Sequence, residues 1–314
     1  MASPPTLPLR RSVGHMHRLL VAAAAVTILG GCTRSAARID LAPVTPNPTG
    51  THNVGQFVWY DLLTEDAAAA KQFYGELFGW QFQDIQGEGI VYSVISHQGV
   101  PIGGLAPMED TDIEVANSRW LSLMSVDDVD AAVAVIVQAG GSVNMEPWDN
   151  PTRGRMALVT DPQGALVVFL RSVGGDPPNL DEDNLVSNRW MFTELWAHDP
   201  SAAVEVYGAV AGYTAERVTV GPISDYVVLK RDGRTRAGVN QLPWEEVQSN
   251  WLPYVKVDDP AATAARVEAL GGRILFPPSP EARNGSVALV MDPMGAAFAI
   301  QKWPPEGGTE GGAR

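Results

Sequence analysis

The sequence predicts an α+β fold of two domains, each built from two copies of a βαβββ unit. One observation is a long-range repeat: LVTDPQGALVVFL (158–170) returns as LVMDPMGAAFAIQ (289–301), so that Asp161 matches Asp292. Another is a repeat inside each half, where a strand-like segment leads twice to an acidic residue and an alanine-rich helix. The length of 314 residues also fits two domains of about 100–200 residues each.

The N-terminal segment 1–32 has the pattern of an exported lipoprotein leader. The basic residues Arg10, Arg11 and Arg18 precede the apolar run LLVAAAAVTIL (19–29), which is short for a bilayer-spanning helix of about 20 residues. The run leads to LGGC at Cys32, the only cysteine of the chain, and this resembles a bacterial lipobox. We therefore predict lipid attachment at Cys32 and anchoring on the outer side of the cell membrane. The alternative is a cleaved secretory peptide with an incidental cysteine.

Composition and linker-like segments divide the rest of the chain. Acidic residues outnumber basic ones 36 to 22, which offers no basic track for nucleic acid and supports solubility. Segments rich in Pro, Gly and polar residues indicate flexible connections. We predict a signal peptide 1–31, a flexible tether 32–54, a first domain 55–172, a linker 173–186, a second domain 187–303 and a disordered tail 304–314.

Each βαβββ unit opens with a strand and a helix that starts at an acidic residue. In the first domain WYDLL leads to Asp66 and then to Gly79, and WLSLMSV leads to Asp127 and Gly140 at the same spacing. Asp at a helix start accepts hydrogen bonds from free backbone N–H groups, and Gly suits the left-handed exit. DPSAAVEVYGAVAG and DPAATAARVEALGG repeat the pattern in the second domain, and alternating apolar segments such as RMALVT supply the remaining strands.

The order of these motifs resembles the vicinal oxygen chelate superfamily, which includes glyoxalases, bleomycin-resistance proteins and extradiol dioxygenases. FYGELFGW, RGRMALVTDPQGA and DPMGA look most similar to its tandem-domain, glyoxalase-like branch, and the resemblance covers 55–172 and 187–303. It implies that two units close a cup-shaped mixed sheet with flanking helices around a small-molecule cavity. It also implies a divalent metal held there by His, Gln or Glu.

The positions that the resemblance assigns to metal ligands hold no metal-binding side chain. They are Trp59, Leu121 and Val168 in the first domain and Phe192, Leu252 and Ala299 in the second. Metal binding needs imidazole, carboxylate, thiolate or amide oxygen. For His52, His97 and His198 we predict surface or capping roles. The sequence therefore predicts cups that hold no metal and no cofactor.

Two carboxylates are the candidate catalytic residues. Asp61 lies two residues after Trp59, and Glu194 two after Phe192, so each shares a strand face with a predicted ligand position. A buried carboxylate is costly unless it is partnered. Each is therefore either a ligand anchor or general base, or a structural carboxylate held by backbone N–H groups or a nearby arginine. In the first domain that arginine is Arg153 or Arg155.

Aromatic residues complete the predicted ligand-binding set. Trp120, Trp251 and Tyr254 lie on strands that would wall the cups, although ordinary packing between domains would also explain them. We expect a membrane-anchored protein that binds a small organic molecule. The alternative is an enzyme of lyase, hydroxylase or dioxygenase type that uses Asp61 and Glu194, or metal ligands not recognised in the sequence. The second cup is the better candidate, because Glu194 is accompanied by Tyr254 where the first cup has Leu123; the oligomeric state is left open.

Overall fold

The computed structural model describes residues 40–87, 91–110, 117–179, 185–220, 223–281 and 283–304. Both predicted domains belong to one compact unit. The predicted signal peptide, the lipid site at Cys32 and the tail after residue 304 lie outside the described residues. In the described part of the chain, no helix is both long enough and apolar enough to cross a membrane.

The first domain contributes eight strands and two helices in the predicted order. Its elements are β1 (Phe57–Thr64), α1 (Ala67–Phe78), β2 (Gln81–Gln86), β3 (Val91–His97), β4 (Val100–Pro107), β5 (Arg119–Ser125), α2 (Val129–Gln138), β6 (Ser142–Asn150), β7 (Gly154–Thr160) and β8 (Leu166–Ser172). A short 3-10 turn, Met108–Asp110, follows β4.

The second domain repeats this series. Its elements are β9 (Trp190–Ala197), α3 (Pro200–Ala211), β10 (Thr214–Val220), β11 (Ile223–Arg231), β12 (Arg234–Gln241), β13 (Asn250–Lys256), α4 (Pro260–Ala269), β14 (Arg273–Phe276), β15 (Val287–Met291) and β16 (Ala297–Gln301). A 3-10 turn, Arg283–Gly285, precedes β15.

The strands of each domain form one eight-stranded mixed sheet, and both sheets have the same order. The first sheet is β2-β3-β4-β1-β5-β8-β7-β6, and the second is β10-β11-β12-β9-β13-β16-β15-β14. In the first sheet β1 is parallel to β4 and antiparallel to β5, which is parallel to β8. The second sheet repeats these pairings. Each sheet therefore joins two βαβββ units through its two central strands, which confirms the predicted α+β fold.

The helix caps agree with the sequence pattern except in α2. Each cap carboxylate accepts a hydrogen bond of 2.9–3.0 Å from the amide three residues later; the caps are Asp66, Asp128, Asp199 and Asp259. The predicted cap Asp127 is wrong by one residue, because α2 begins at Val129 and the cap must directly precede it. Asp127 instead accepts a hydrogen bond from Arg231 at 3.0 Å on the surface. The left-handed exits predicted for glycine occur at Gly79 and Gly212.

The two faces of each sheet carry separate apolar clusters. The helix-covered faces of both sheets share one core. The opposite face of the first sheet, called cup 1, is lined by residues that include Trp59, Leu63, Leu121, Leu123, Val168 and Leu170. The opposite face of the second sheet, called cup 2, is lined by residues that include Phe192, Trp196, Leu252, Tyr254, Phe276 and Ala299. All six positions that the resemblance assigns to metal ligands therefore lie in the cups.

Trp120 and Trp251 pack in the shared core and not in the cups. The Trp120 indole donates to the hydroxyl of Tyr74 at 2.9 Å, and the Trp251 indole donates to Tyr207 at 2.7 Å. Both tryptophans follow the strand alternation, since the next residue on each strand faces its cup. The expectation that they wall the cavities is thus corrected, and the core-packing alternative describes them.

The repeated DPxG turns connect the two domains. Tyr74 of the first domain donates to Asp292 Oδ2 at 3.1 Å, and Tyr207 of the second donates to Asp161 Oδ2 at 3.0 Å. The other carboxylate oxygen accepts the amides two and four residues later, at 2.8–3.0 Å. Burial raises the pKa of both aspartates. The two copies of the turn therefore form reciprocal contacts between the domains.

Residues 40–54, predicted as the end of a flexible tether, pack on the first domain. Val44 is buried in the cup 1 cluster. Farther along, Thr49 donates its amide to Gly174 O at 2.8 Å, and the amide of Asn53 donates to the buried Asp176 carboxylate at 2.7 Å. The structure differs from the expectation because this segment supplies an apolar side chain and backbone groups that the domain binds. Residues 40–47 are called the strap below.

Candidate functional site

The first strand of each domain places a carboxylate on the cup side of its sheet. Alternation along β1 puts Trp59, Asp61 and Leu63 on one face. The residues at the matching places of β9 are Phe192, Glu194 and Trp196. The structure therefore places both predicted carboxylates, together with Trp59 and Phe192, in the cups.

Asp61 is held by three side chains of cup 1. Arg153 donates to Oδ2 at 3.0 Å, while Tyr92 and Trp59 donate to Oδ1 at 2.6 and 2.8 Å. The Arg153 guanidinium also lies 4.8 Å from the centre of the Trp59 ring, and the residue is only 1% exposed. Arg155, the other candidate partner, pairs with exposed aspartates on the surface. The structure thus shows the arginine-held carboxylate, with Arg153 as the partner.

Glu194 has an equivalent set of partners in cup 2. Tyr226 donates to Oε1 at 2.7 Å and Tyr254 donates to Oε2 at 2.6 Å. Arg283 donates through Nη2 to Oε1 and through Nη1 to the side-chain oxygen of Gln301, the latter at 2.9 Å. Glu194 itself is fully buried. Its charge is therefore compensated by one arginine and two hydroxyl groups, as a buried carboxylate requires.

The two sites differ in which strand supplies one donor. In cup 1 the donor Trp59 lies directly across from Leu123 on the adjacent strand. In cup 2 the aligned Phe192 has no donor, and the residue across from it, Tyr254, donates instead. Each carboxylate therefore has three donor residues, because cup 2 lacks the indole of Trp59 but gains the hydroxyl of Tyr254 on the adjacent strand.

Two glycines allow the tyrosines to reach the carboxylates. A Cβ added at Gly104 would lie 1.7 Å from the Tyr92 hydroxyl, and one at Gly238 would lie 1.9 Å from the Tyr226 hydroxyl. Burial raises the pKa of Tyr92, and burial together with the nearby Glu194 charge raises the pKa of Tyr226. The tyrosines therefore remain protonated at neutral pH and act as hydrogen-bond donors.

Cup 2 is more accessible than cup 1 at aligned positions. Trp59 and Leu63 are buried, whereas Phe192 and Trp196 at the same places in β9 are partly exposed. The Trp196 ring stacks on Trp244, with centroids 6.1 Å apart and planes 11° from parallel. Cup 2 therefore presents an aromatic surface to solvent, while the strap covers part of cup 1.

The metal site implied by the resemblance does not fit these residues. Among the six cup positions, five side chains are hydrocarbon, and the indole nitrogen of the sixth, Trp59, donates its hydrogen to Asp61 and has no lone pair to offer. Within the described residues, no group of three or more His, Cys, Asp or Glu is placed to hold a metal ion.

The histidines lie outside the carboxylate sites. His198 Nε2 is 2.9 Å from Val247 O, and His52 Nδ1 is 3.4 Å from Ser172 Oγ. His97, expected on the surface, is buried; burial and then the Arg189 charge lower its pKa. His97 differs from the prediction because Arg189 of the second domain covers it through contacts to its ring and carbonyl.

Four members of the carboxylate sites were missed by reasoning from the sequence. Tyr92 and Tyr226 hold matching places in the two copies of the repeat. Arg153 was a predicted partner of Asp61, but Arg283, its counterpart beside Glu194, was not recognised. Gln301 was missed because it aligns with Leu170, which is apolar. A search for tyrosines and arginines at matching places of the repeat, before any search for metal ligands, would have found the first three.

Comparison with known proteins identifies the family of the chain. Residues 56–169 match the Glyoxalase/Bleomycin resistance protein/Dioxygenase superfamily. A Mycobacterium tuberculosis protein named "Putative glyoxylase CFP32" is 36% identical over 253 residues, which cover 79% of this chain and 95% of that protein. The chain belongs to the glyoxalase/bleomycin resistance/dioxygenase superfamily. The Anthracycline biosynthesis protein DnrV of Streptomyces peucetius is 29% identical over 78% of this chain and 92% of its own length.

Solved structures of the superfamily share the fold at low sequence identity. The Mn(II)-bound glyoxalase from Novosphingobium aromaticivorans aligns with a TM-score of 0.53 and 17% identity, over 79% of this chain and 82% of that one. The 2,3-dioxygenase LapB from Pseudomonas sp. KL28 aligns with a TM-score of 0.51 and 12% identity, over 83% and 93%. These likenesses support the fold, whereas the cup residues of this superfamily member must be interpreted by themselves.

Proposed function

We propose that the protein binds a small, planar aromatic molecule in cup 2 without using a metal ion. The observation that carries this proposal is the stacked pair Trp196 and Trp244, next to the partly exposed Phe192. Partly exposed aromatic rings with few polar groups around them suit an organic ring system, which gains by stacking and by leaving water. The name of the relative DnrV, an anthracycline biosynthesis protein, is consistent with a ring-containing ligand.

The carboxylate site supports the floor of cup 2 in this proposal. Glu194 is fully buried, and its partners Tyr254 and Arg283 are also buried, so an incoming molecule meets the aromatic surface before it meets the carboxylate. The hydrogen bonds of Tyr254 and Arg283 to Glu194 hold these side chains in place beneath the apolar surface and so fix its shape. Asp61, Trp59 and Tyr254 remain predicted ligand contacts, with the first two belonging to the cup that the strap covers.

The test is calorimetric titration with 1-naphthol as the probe. We expect one molecule to bind per chain, and its affinity to fall at least tenfold in Trp196→Leu. This change gives cup 2 the leucine that cup 1 has at the aligned position, Leu63. The matched control is Leu63→Ala, which truncates the aligned residue in cup 1 and should leave the affinity unchanged. Equal affinity of wild type and Trp196→Leu would remove the aromatic pair from the proposal.

An enzymatic function is the second candidate, and the name of the mycobacterial relative supports it. In that case the reaction would use Glu194 or Asp61 as a base, or metal ligands outside the pattern considered above. The geometry opposes a base role, because an arginine and two further donors already occupy each carboxylate. Formation of S-lactoylglutathione from methylglyoxal and glutathione, abolished in a Glu194→Gln protein that is still folded at the assay temperature, would favour the enzyme.

We also propose that the mature chain is lipid-anchored through Cys32 on the outer side of the membrane. The basic and then apolar leader that ends in LGGC supports this. A diacylglyceryl group with an added acyl chain gives stable anchoring, whereas one short chain gives only marginal binding. Metabolic labelling with palmitate should mark the wild type and not Cys32→Ser; equal labelling of both would contradict the proposal.

A further inference from the structure

Cup 1 holds the strap through contacts of the kind that a binding site makes with a ligand. Arg153 Nε donates to the carbonyl of Ala42 at 2.8 Å, and Thr152 Oγ1 donates to the carbonyl of Leu41. Val44 is 3% exposed and packs in the cup 1 cluster. The strap thus supplies two backbone acceptors and two apolar side chains, Val44 and the partly buried Leu41, to a surface made by other elements.

The Arg153 guanidinium takes one acceptor from outside the sheet. Its Nη1 donates to Asp61 at 3.0 Å and its Nη2 donates to Tyr92 at 2.8 Å, which leaves the Nε hydrogen for a third acceptor. The residue of cup 1 that aligns with Gln301 is Leu170, which has no acceptor. A buried guanidinium with a free N–H is unfavourable, and the carbonyl of Ala42 satisfies it.

The charges of cup 1 indicate which acceptor suits it. The positive charge of Arg153 is already paired with Asp61 at 3.0 Å. A carboxylate added at the position of the Ala42 carbonyl would bring a second negative charge to a mostly buried site, and this is costly. A neutral carbonyl, as in a peptide, amide or ester, accepts the hydrogen bond without that cost.

We propose that cup 1 is a binding site for a short, apolar peptide-like segment with uncharged carbonyl groups, and that the strap closes it as an intramolecular occupant. A tethered occupant acts at a local concentration on the order of millimolar, so an external ligand of similar affinity binds weakly while the strap is in place. The external ligand gains access when the strap is released.

The test uses the chain with Val44→Asp, which puts a charge on the most deeply buried apolar side chain of the strap. The matched control is Asn47→Asp, which adds the same charge at an exposed strap position. The probe is N-acetyl-alanyl-prolyl-valinamide, which reproduces residues 42–44, titrated by calorimetry. We expect Val44→Asp to bind it at least tenfold more tightly than both the control and the wild type.

The same affinity in all three proteins, or no binding to a Val44→Asp protein that melts cooperatively, would overturn the proposal. If Val44→Asp does not fold, Val44→Ala replaces it with a smaller expected gain of at least threefold, and no gain counts against the site. A second comparison tests the charge preference on the released protein. N-acetyl-leucyl-alaninamide should bind at least threefold more tightly than the free acid of the same dipeptide, and the reverse order would overturn the preference for an uncharged carbonyl.

Discussion

Replacement of Glu194 by glutamine should cost stability far more than a surface substitution would. The change keeps the shape of the side chain and removes its charge. Arg283 would then remain buried without the carboxylate that pairs with it, although Gln301 would still accept one of its hydrogen bonds. Removing one member of a buried pair typically costs about 3–5 kcal/mol, because the other charge stays out of water without compensation.

The expected loss can be expressed as a melting temperature. For a protein of this size, about 1 kcal/mol corresponds to about 2–4 °C, so Glu194→Gln should melt roughly 6–20 °C below wild type. The double variant with Arg283→Met removes both charges and should recover part of the loss, since a buried pair can often be replaced by apolar residues of similar volume. Asp61→Asn should resemble the single variant, because Arg153 is also buried.

Urea denaturation followed by tryptophan fluorescence measures these free energies of unfolding. We expect stability to decrease in the order wild type, double variant, Glu194→Gln. A Glu194→Gln protein within about 1 kcal/mol of wild type would refute this expectation, because breaking a buried pair cannot be so inexpensive. A double variant less stable than Glu194→Gln would also refute it. If stability falls and affinity for 1-naphthol holds, Glu194 is structural, as its burial indicates.

Three further predictions concern glycines, acidic pH and metal. Gly238→Ala should destabilise the protein strongly because its Cβ would meet Tyr226, whereas Gly208→Ala, whose nearest contact is 3.7 Å, should be neutral or slightly stabilising by thermal melting. Burial raises the pKa of Asp161 and Asp292, so the folded state keeps their protons to higher pH than the unfolded chain does. Their contribution therefore favours folding below about pH 4 and is lost as the pH rises through the raised pKa values. Replacing both with Asn should make the free energy of unfolding, measured with urea, depend less on pH in this range. An unchanged slope would contradict the prediction. EDTA should leave the melting temperature unchanged, whereas a bound metal would have stabilised the fold by mass action; a fall restored by Mn²⁺ or Zn²⁺ would contradict this.

The fold was predictable because the same unit recurs several times in one chain. The regular offsets between matching motifs predict two equal sheets, and their common strand order bears this out. The cap of α2 was placed one residue early because Asp127 and Asp128 are adjacent, and sequence alone does not show which amide they reach. Strand alternation also predicted that Asp61 and Glu194 lie on the same strand faces as Trp59 and Phe192.

The candidate site was predictable only in part, because its members come from distant elements. Asp61 and Glu194 follow from alternation, but their partner tyrosines and arginines come from other strands and turns, and no local pattern marks them. The positions of Trp120 and Trp251 were predicted wrongly, because a tryptophan on a strand that lines a cup can face either the cup or the helix-covered core. The strap was misread as flexible because a proline-rich segment with few apolar residues has no periodicity, although one of them, Val44, is buried.

Native mass spectrometry with elemental analysis determines whether cup 2 binds an aromatic molecule without a metal. The sample is the untagged protein, purified without a metal column and mixed with 1-naphthol. We expect one naphthol per chain and no stoichiometric transition metal, with the same naphthol occupancy after EDTA. A metal ion in each chain, together with naphthol binding that disappears after EDTA, would contradict the proposed metal-free site.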